Sequence, residues 1–188
     1  MIKIFIFIFS LLSLLSLQAS SREEKKKLEE EIFSLMKLQN FNEASRKLES
    51  FIEKYPYEKK MVLNFARTLL RKKLEEPKQE EDPFLREQKF KQIQDNYKLA
   101  SQIFEKTLKE WIELDPNEKN LGVWIFEWGL AEHLLGKKDR ALQIYLLATK
   151  YPNYPKETYY NIAILKEELR LSKEATRYFK LYQEKINQ

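Results

Sequence analysis

Cysteine is absent from this 188-residue chain, and histidine and glycine are nearly so, at one and three residues. The missing thiols exclude disulfide frameworks, thiolate metal sites and a lipid-modified N-terminal Cys. Three Gly are too few for a phosphate-cradling loop. No long run of one charge occurs: 34 Lys plus Arg stand against 29 Asp plus Glu, for a formal charge of +5. Acids and lysines alternate closely, as from Arg22 to Glu30 and Lys166 to Lys185, a pattern that belongs to solvated helix faces. Nucleic acid is therefore not an expected partner, since its binding calls for a one-signed cluster with stacking aromatics. The small positive excess is compatible only with a weak attraction to an anionic membrane surface.

What is present divides sharply near the start. Residues 1–19 carry one charge, Lys3, ahead of an apolar and Ser stretch from Ile4 to Leu17. That run of 14 residues is short of the roughly 20 that a spanning helix needs and fits the core of a signal peptide. Small residues at Ala19, Ser20 and Ser21 offer a cleavage site. The expectation is an exported, periplasmic or otherwise extracytoplasmic protein; an uncleaved segment anchoring the chain is the alternative.

Residues 20–188 read as helix nearly throughout. The Pro residues stand at 56, 77, 83, 116, 152 and 155 and mark boundaries. Between them apolar residues recur three and four apart, as in Leu28, Ile32, Leu35 and in Phe41, Ala44, Leu48, Phe51, which places one stripe on each helix. Helices of 12 to 18 residues cannot bury a stripe alone, so neighbours must pair as antiparallel hairpins.

Comparison of the chain with itself sharpens this. A shift of 34 residues aligns Ile125 with Tyr159, Trp128 with Ile162, Gly129 with Ala163, Ala141 with Ala175, Tyr145 with Phe179 and Ala148 with Tyr182. A period of 34 in a helical chain is that of the tetratricopeptide (TPR) repeat, and the sequence resembles that family over essentially all of residues 20–188. In such a hairpin the eighth position of the first helix and the twentieth, on the second, face each other at the closest approach. Ala66, Gly129 and Ala163 fall on the first, and Ala44, Ala100, Ala141 and Ala175 on the second. A large apolar plug follows each of these last four: Leu48, Phe104, Tyr145 and Phe179.

The resemblance implies an all-α fold, a right-handed α-solenoid of about four TPR-like hairpins at roughly 25–58, 59–116, 122–155 and 156–188. Three departures accompany it. Ile32 occupies a small position in the first hairpin; Glu132 and Lys166 stand where the family has an aromatic; and the second hairpin carries an insertion, 75–96. Phe90, Ile93, Tyr97, Ala100, Phe104, Thr107, Trp111 and Leu114 are spaced by threes and fours. They predict one long helix from Pro83 to Leu114, with Asp82 as its cap and Pro at its first position. The loop Glu75 to Asp82 ahead of it holds five acids and one Lys. Phe84, Leu85 and Phe90 either form a protruding arm or fold back to cover the solenoid.

Binding in the family occurs on the concave wall lined by the first helix of each pair. Carried over residue by residue, the groove positions are Phe33, Met36 and Lys37; Leu63, Arg67, Leu70 and Arg71; Phe126, Leu130, His133 and Leu134; and Tyr160, Ile164 and Glu167. Apolar anchors around two Arg suit a helix or extended peptide of a partner protein that carries hydrophobic side chains and an acid. The Lys and Asn pattern by which some members clamp a C-terminal carboxylate is missing. His133 lies on one helix with Glu127 and Glu132 at spacings that make no zinc motif, and no other constellation suggests catalysis, a metal or a cofactor. The expected function is a non-enzymatic scaffold or adaptor of a bacterial cell envelope that holds a partner's peptide in an apolar groove. The alternative is a self-associating structural subunit that uses the long helix and an uncapped C-terminal face.

Overall fold

The computed structural model describes residues 21–72 and 82–187. The expected signal segment, and most of the acidic loop before the long helix, lie outside the described residues. Eight helices and no strand occur among those described: α1 (21–37), α2 (Phe41–Lys54), α3 (Lys59–Arg71), α4 (Pro83–Leu114), α5 (Leu121–Leu134), α6 (Lys138–Ala148), α7 (Glu157–Glu168) and α8 (Ser172–Ile186). Each packs on the next in order, and α3 also reaches α5. That is the adjacency of an α-solenoid of four hairpins, in which odd-numbered helices line one wall.

Closeness within the hairpins rests on small residues. Ala44, Ala66, Ala100, Ala141, Ala163 and Ala175 have no exposed surface, and Gly129 is buried. A Cβ on Gly129 would lie 2.6 Å from the Tyr145 ring. Tyr145 is itself fully buried, stacks at 5.6 Å on Phe126, and accepts a 3.1 Å hydrogen bond from Asn161 Nδ2. The third hairpin is thereby tied to the fourth. Burial pushes the Tyr145 phenol well above its ordinary pKa, so it stays a neutral packing group.

One large core runs from Leu63 through Phe104, Trp111, Trp124 and Tyr145 to Leu165. A smaller one, Ile32, Leu48, Phe51 and Met61, closes the first hairpin, and Phe65 packs against both. Ile32 is thus a core residue of that smaller cluster, where the bulk is accommodated between α1 and α2.

The position at which the family has an aromatic holds a buried carboxylate. Glu132 has no exposed surface; Ser101 Oγ donates to its Oε1, Arg140 Nε lies 3.2 Å from Oε1, and Lys137 Nζ lies 3.2 Å from Oε2. Arg140 continues to Glu105 at 2.6 Å. Neighbouring Lys109 and Arg140 hold the Glu105 carboxyl below its ordinary pKa. A buried charge persists only when paired in this way. Lys166 is bridged at 2.9 Å to Glu174.

The long helix runs from Pro83 to Leu114, 32 residues, with Asp82 capping it through bonds from the Phe84 and Leu85 N–H groups. At 1.5 Å per residue it is about 48 Å long. Its burial begins only at Ala100, and no residue from Pro83 to Leu99 is buried. Phe84, Leu85 and Phe90 are exposed by half or more. They do not fold back to cover the solenoid, because the buried face of this helix is supplied by Ala100, Ser101, Phe104, Thr107, Leu108 and Trp111, all in its C-terminal half.

Candidate functional site

The odd-numbered helices bring five of the predicted groove residues together. Phe33, Met36 and Lys37 from α1 and Arg67 and Arg71 from α3 line a recess of about 500 Å³, joined by Phe41, Asn64 and Glu127. Phe33 is half exposed, which leaves its ring available on the rim. Met36 and Phe41 are half-buried. The floor is ionic. Arg71 donates from Nη1 to Glu127 Oε2 at 2.8 Å and from Nη2 to Oε1 at 2.7 Å, a bidentate pair that joins α3 to α5. Arg67 Nε stands 3.3 Å from the same Oε1 but makes no hydrogen bond, although the atom is buried. Burial lowers the Arg67 pKa and Arg71 adds to the lowering, while Glu127 opposes both; the guanidinium remains a cation. Lys37 on the rim has no ion pair among the described residues. Three cations thus share one acid.

Several expectations need correction. Leu63 has no exposed surface, since it belongs to the main core, and it does not line the recess. Phe126 is buried against Tyr145 for the same reason. The two Arg do not both await a partner's acid, because Glu127 already occupies the Arg71 fork. Nor do the predicted residues form one continuous wall. Leu70, Leu130, His133, Tyr160 and Ile164 do not line the recess. Leu70 packs against the main core, and Tyr160 lies against Phe179 and Tyr182 at 5.9 and 5.4 Å. Leu130 and Ile164 are half-buried. His133 sits edge-on to Tyr145 at 6.2 Å, and burial depresses its pKa with a further push from Lys138, against the pull of Glu168.

Sequence reading missed Phe41, Asn64 and Glu127. Nothing in the local pattern marks Glu127: the acid that meets an Arg on α3 is set by the offset between hairpins. A second concavity, of about 450 Å³, opens among α2, α3 and α4 beside Ile52, Val62 and Ile103, and holds none of the predicted residues. Among the described residues no group of His, Asp and Glu could hold a metal ion, and no helix is long and apolar enough to cross a membrane.

No family model matches the chain, and no curated protein matches it. Solved structures do. The structure "MamA AMB-1 P212121" is 20% identical, with a TM-score of 0.53 over 81% of this chain and 68% of that one. "MamA MSR-1 C2" is 21% identical, with a TM-score of 0.55 over 81% and 71%. "MamA AMB-1 C2221" is 20% identical, with a TM-score of 0.55 over 81% and 73%. At this identity the likeness is one of fold: this chain has the TPR-like helical solenoid architecture of those proteins.

Proposed function

We propose that this chain is a non-enzymatic protein-interaction scaffold that holds a peptide segment of a partner in the recess between its first three hairpins. The observation that carries this reading is the composition of that recess. An exposed Phe33 and half-buried Met36 and Phe41 stand beside Lys37, which has no ion pair among the described residues, and Arg67, which shares the single acid Glu127 with Arg71. Apolar side chains give a peptide contact area, and the cations select one that carries a carboxylate. The volume lies within the roughly 300–1,000 Å³ of ligand pockets. The TPR-like fold supports the reading in the general sense that stacked hairpins offer extended binding walls.

The segment from Ile4 to Leu17 supports a location outside the cytoplasmic membrane, in a cell envelope, where the scaffold would serve assembly or a stable complex. Protease accessibility in intact and permeabilised cells tests the location. Partner capture tests the function: Phe33→Ala or Arg67→Ala abolishes co-purification of the bound partner while circular dichroism stays unchanged. Unaltered capture by both variants overturns it.

A further inference from the structure

The arm of α4 ends in a tip whose chemistry is the counterpart of the recess. Phe84 is 65% exposed and Leu85 51%, an unusual state for two adjacent large apolar side chains. Beside them Asp82 uses a single oxygen, Oδ1, to accept both capping N–H bonds, at 2.8 and 3.4 Å. Among the described residues its Oδ2 has no partner. Asp82 is also the last of the run of acids that precedes the helix in the sequence. Arg86 and Lys89, the nearest cations on the arm, are half-buried.

The recess offers the complement. Its rim has the exposed Phe33 ring beside Met36 and Phe41, and its cations exceed its acids three to one. Arg71 is committed to Glu127, and Arg67 Nε is buried against the same acid, so exposed Lys37 and the exposed quarter of the Arg67 side chain are what an incoming carboxylate can meet. Phe84 and Leu85 line no part of the recess in their own chain. The helix carries them on the order of 25 Å along its axis from Ala100, where burial begins.

We propose that the tip of α4, Asp82 with Phe84 and Leu85, seats in the recess of a second copy, so that copies join head to tail. This rests on the recess being a peptide-binding site and names its occupant. The two surfaces are different patches of one molecule, so the contact is heterologous and propagates into a ring or a filament. The tip is preorganised by its Pro at the first helical position and by the Asp82 cap, which keeps the ordering cost of docking low. The ionic part weakens with salt.

Sedimentation velocity on the 188-residue chain in a non-denaturing detergent, at a series of concentrations, tests the proposal. The wild type gives a concentration-dependent series beyond the dimer. The tip variant, Phe84→Ala with Leu85→Ala, and the recess variant, Arg67→Ala, each weaken association by about tenfold or more. Lys37→Ala, at an exposed position, serves if the Arg67 variant loses helicity. An equimolar mixture of tip and recess variants restores one interface and stops at the dimer. A mixture that stays monomeric, or a tip variant that associates like the wild type, overturns the proposal.

A photoreactive residue at Met36 separates this failure from failure of the groove itself. Crosslinks to residues 82–85 of an isotopically distinct copy support both readings. Crosslinks to a different polypeptide, unaffected by the tip variant, leave the groove standing and remove the self-docking; no crosslink removes both.

Discussion

A Cβ placed on Gly129 would stand 2.6 Å from the ring of Tyr145, the side chain that plugs the third hairpin. The ring cannot retreat, because Phe126 and His133 flank it and Asn161 holds its hydroxyl. Gly129→Ala is therefore expected to destabilise by about 1–2 kcal/mol, overpacking outweighing the better helix propensity of Ala. Gly122→Ala should cost more, about 3 kcal/mol, because its Cβ would meet backbone, 2.5 Å from the Pro152 carbonyl oxygen. Chemical denaturation of the two variants gives the order directly. Equal or negligible losses would contradict the close approach.

Arg67 and Arg71 stand on one helix face, yet they answer to different demands. Removing Arg71 leaves Glu127 buried with its bidentate partner gone, so Arg71→Ala is expected to cost about 3 kcal/mol of stability. Arg67 lies 3.3 Å from the same carboxylate without the bidentate fork that Arg71 makes, and Arg67→Ala should cost less stability while removing partner capture. Thermal melts of both variants, set beside a capture assay, show whether the two effects separate.

Glu132 is fully buried, but its cationic partners are not. Its partners Arg140 and Lys137 are about half exposed and can turn to water once it is gone. Glu132→Ala then loses chiefly packing, about 2 kcal/mol, whereas Glu132→Leu fills the space and loses under about 1 kcal/mol. A Leu variant as unstable as the Ala variant would mean that the ion network itself holds α4 to α5.

The fold was legible because its determinants are local or periodic. The small residues from Ala44 to Ala175, the 34-residue shift and the Asp82-Pro83 start of the long helix are written in spacing, and spacing sets helix faces. The site was only partly legible. Phe33, Met36, Lys37, Arg67 and Arg71 meet in the recess because each lies on the groove face of its own helix. Glu127 escaped notice since its contact with Arg71 spans 56 positions and depends on how one hairpin is offset from the next. Leu63 was placed on the wall by its position, but α3 packs on α4 and Leu63 falls in the core that the two helices share.

His133 is the only histidine in the chain, so its titration can be read without assignment by elimination. Burial, and Lys138 behind it, lower its pKa below 6.5 despite the opposing charge of Glu168. The unfolded chain therefore takes up the proton first as pH falls. Stability contributed by the neutral imidazole is present above the unfolded pKa and declines from there down to the folded value. Proton NMR of the imidazole should give a midpoint under 6.5; a midpoint above it would mean that Glu168 dominates the site.

If the recess is a binding surface, capture from inside it is the most direct measurement of that role. A photoreactive amino acid at Phe33 or Met36 should trap a defined polypeptide segment in cells, and Arg67→Ala should abolish the product. The same probe at Tyr57, which is 92% exposed and outside the recess, should trap no such segment. Equal capture at Tyr57, or capture indifferent to Arg67, would contradict the account.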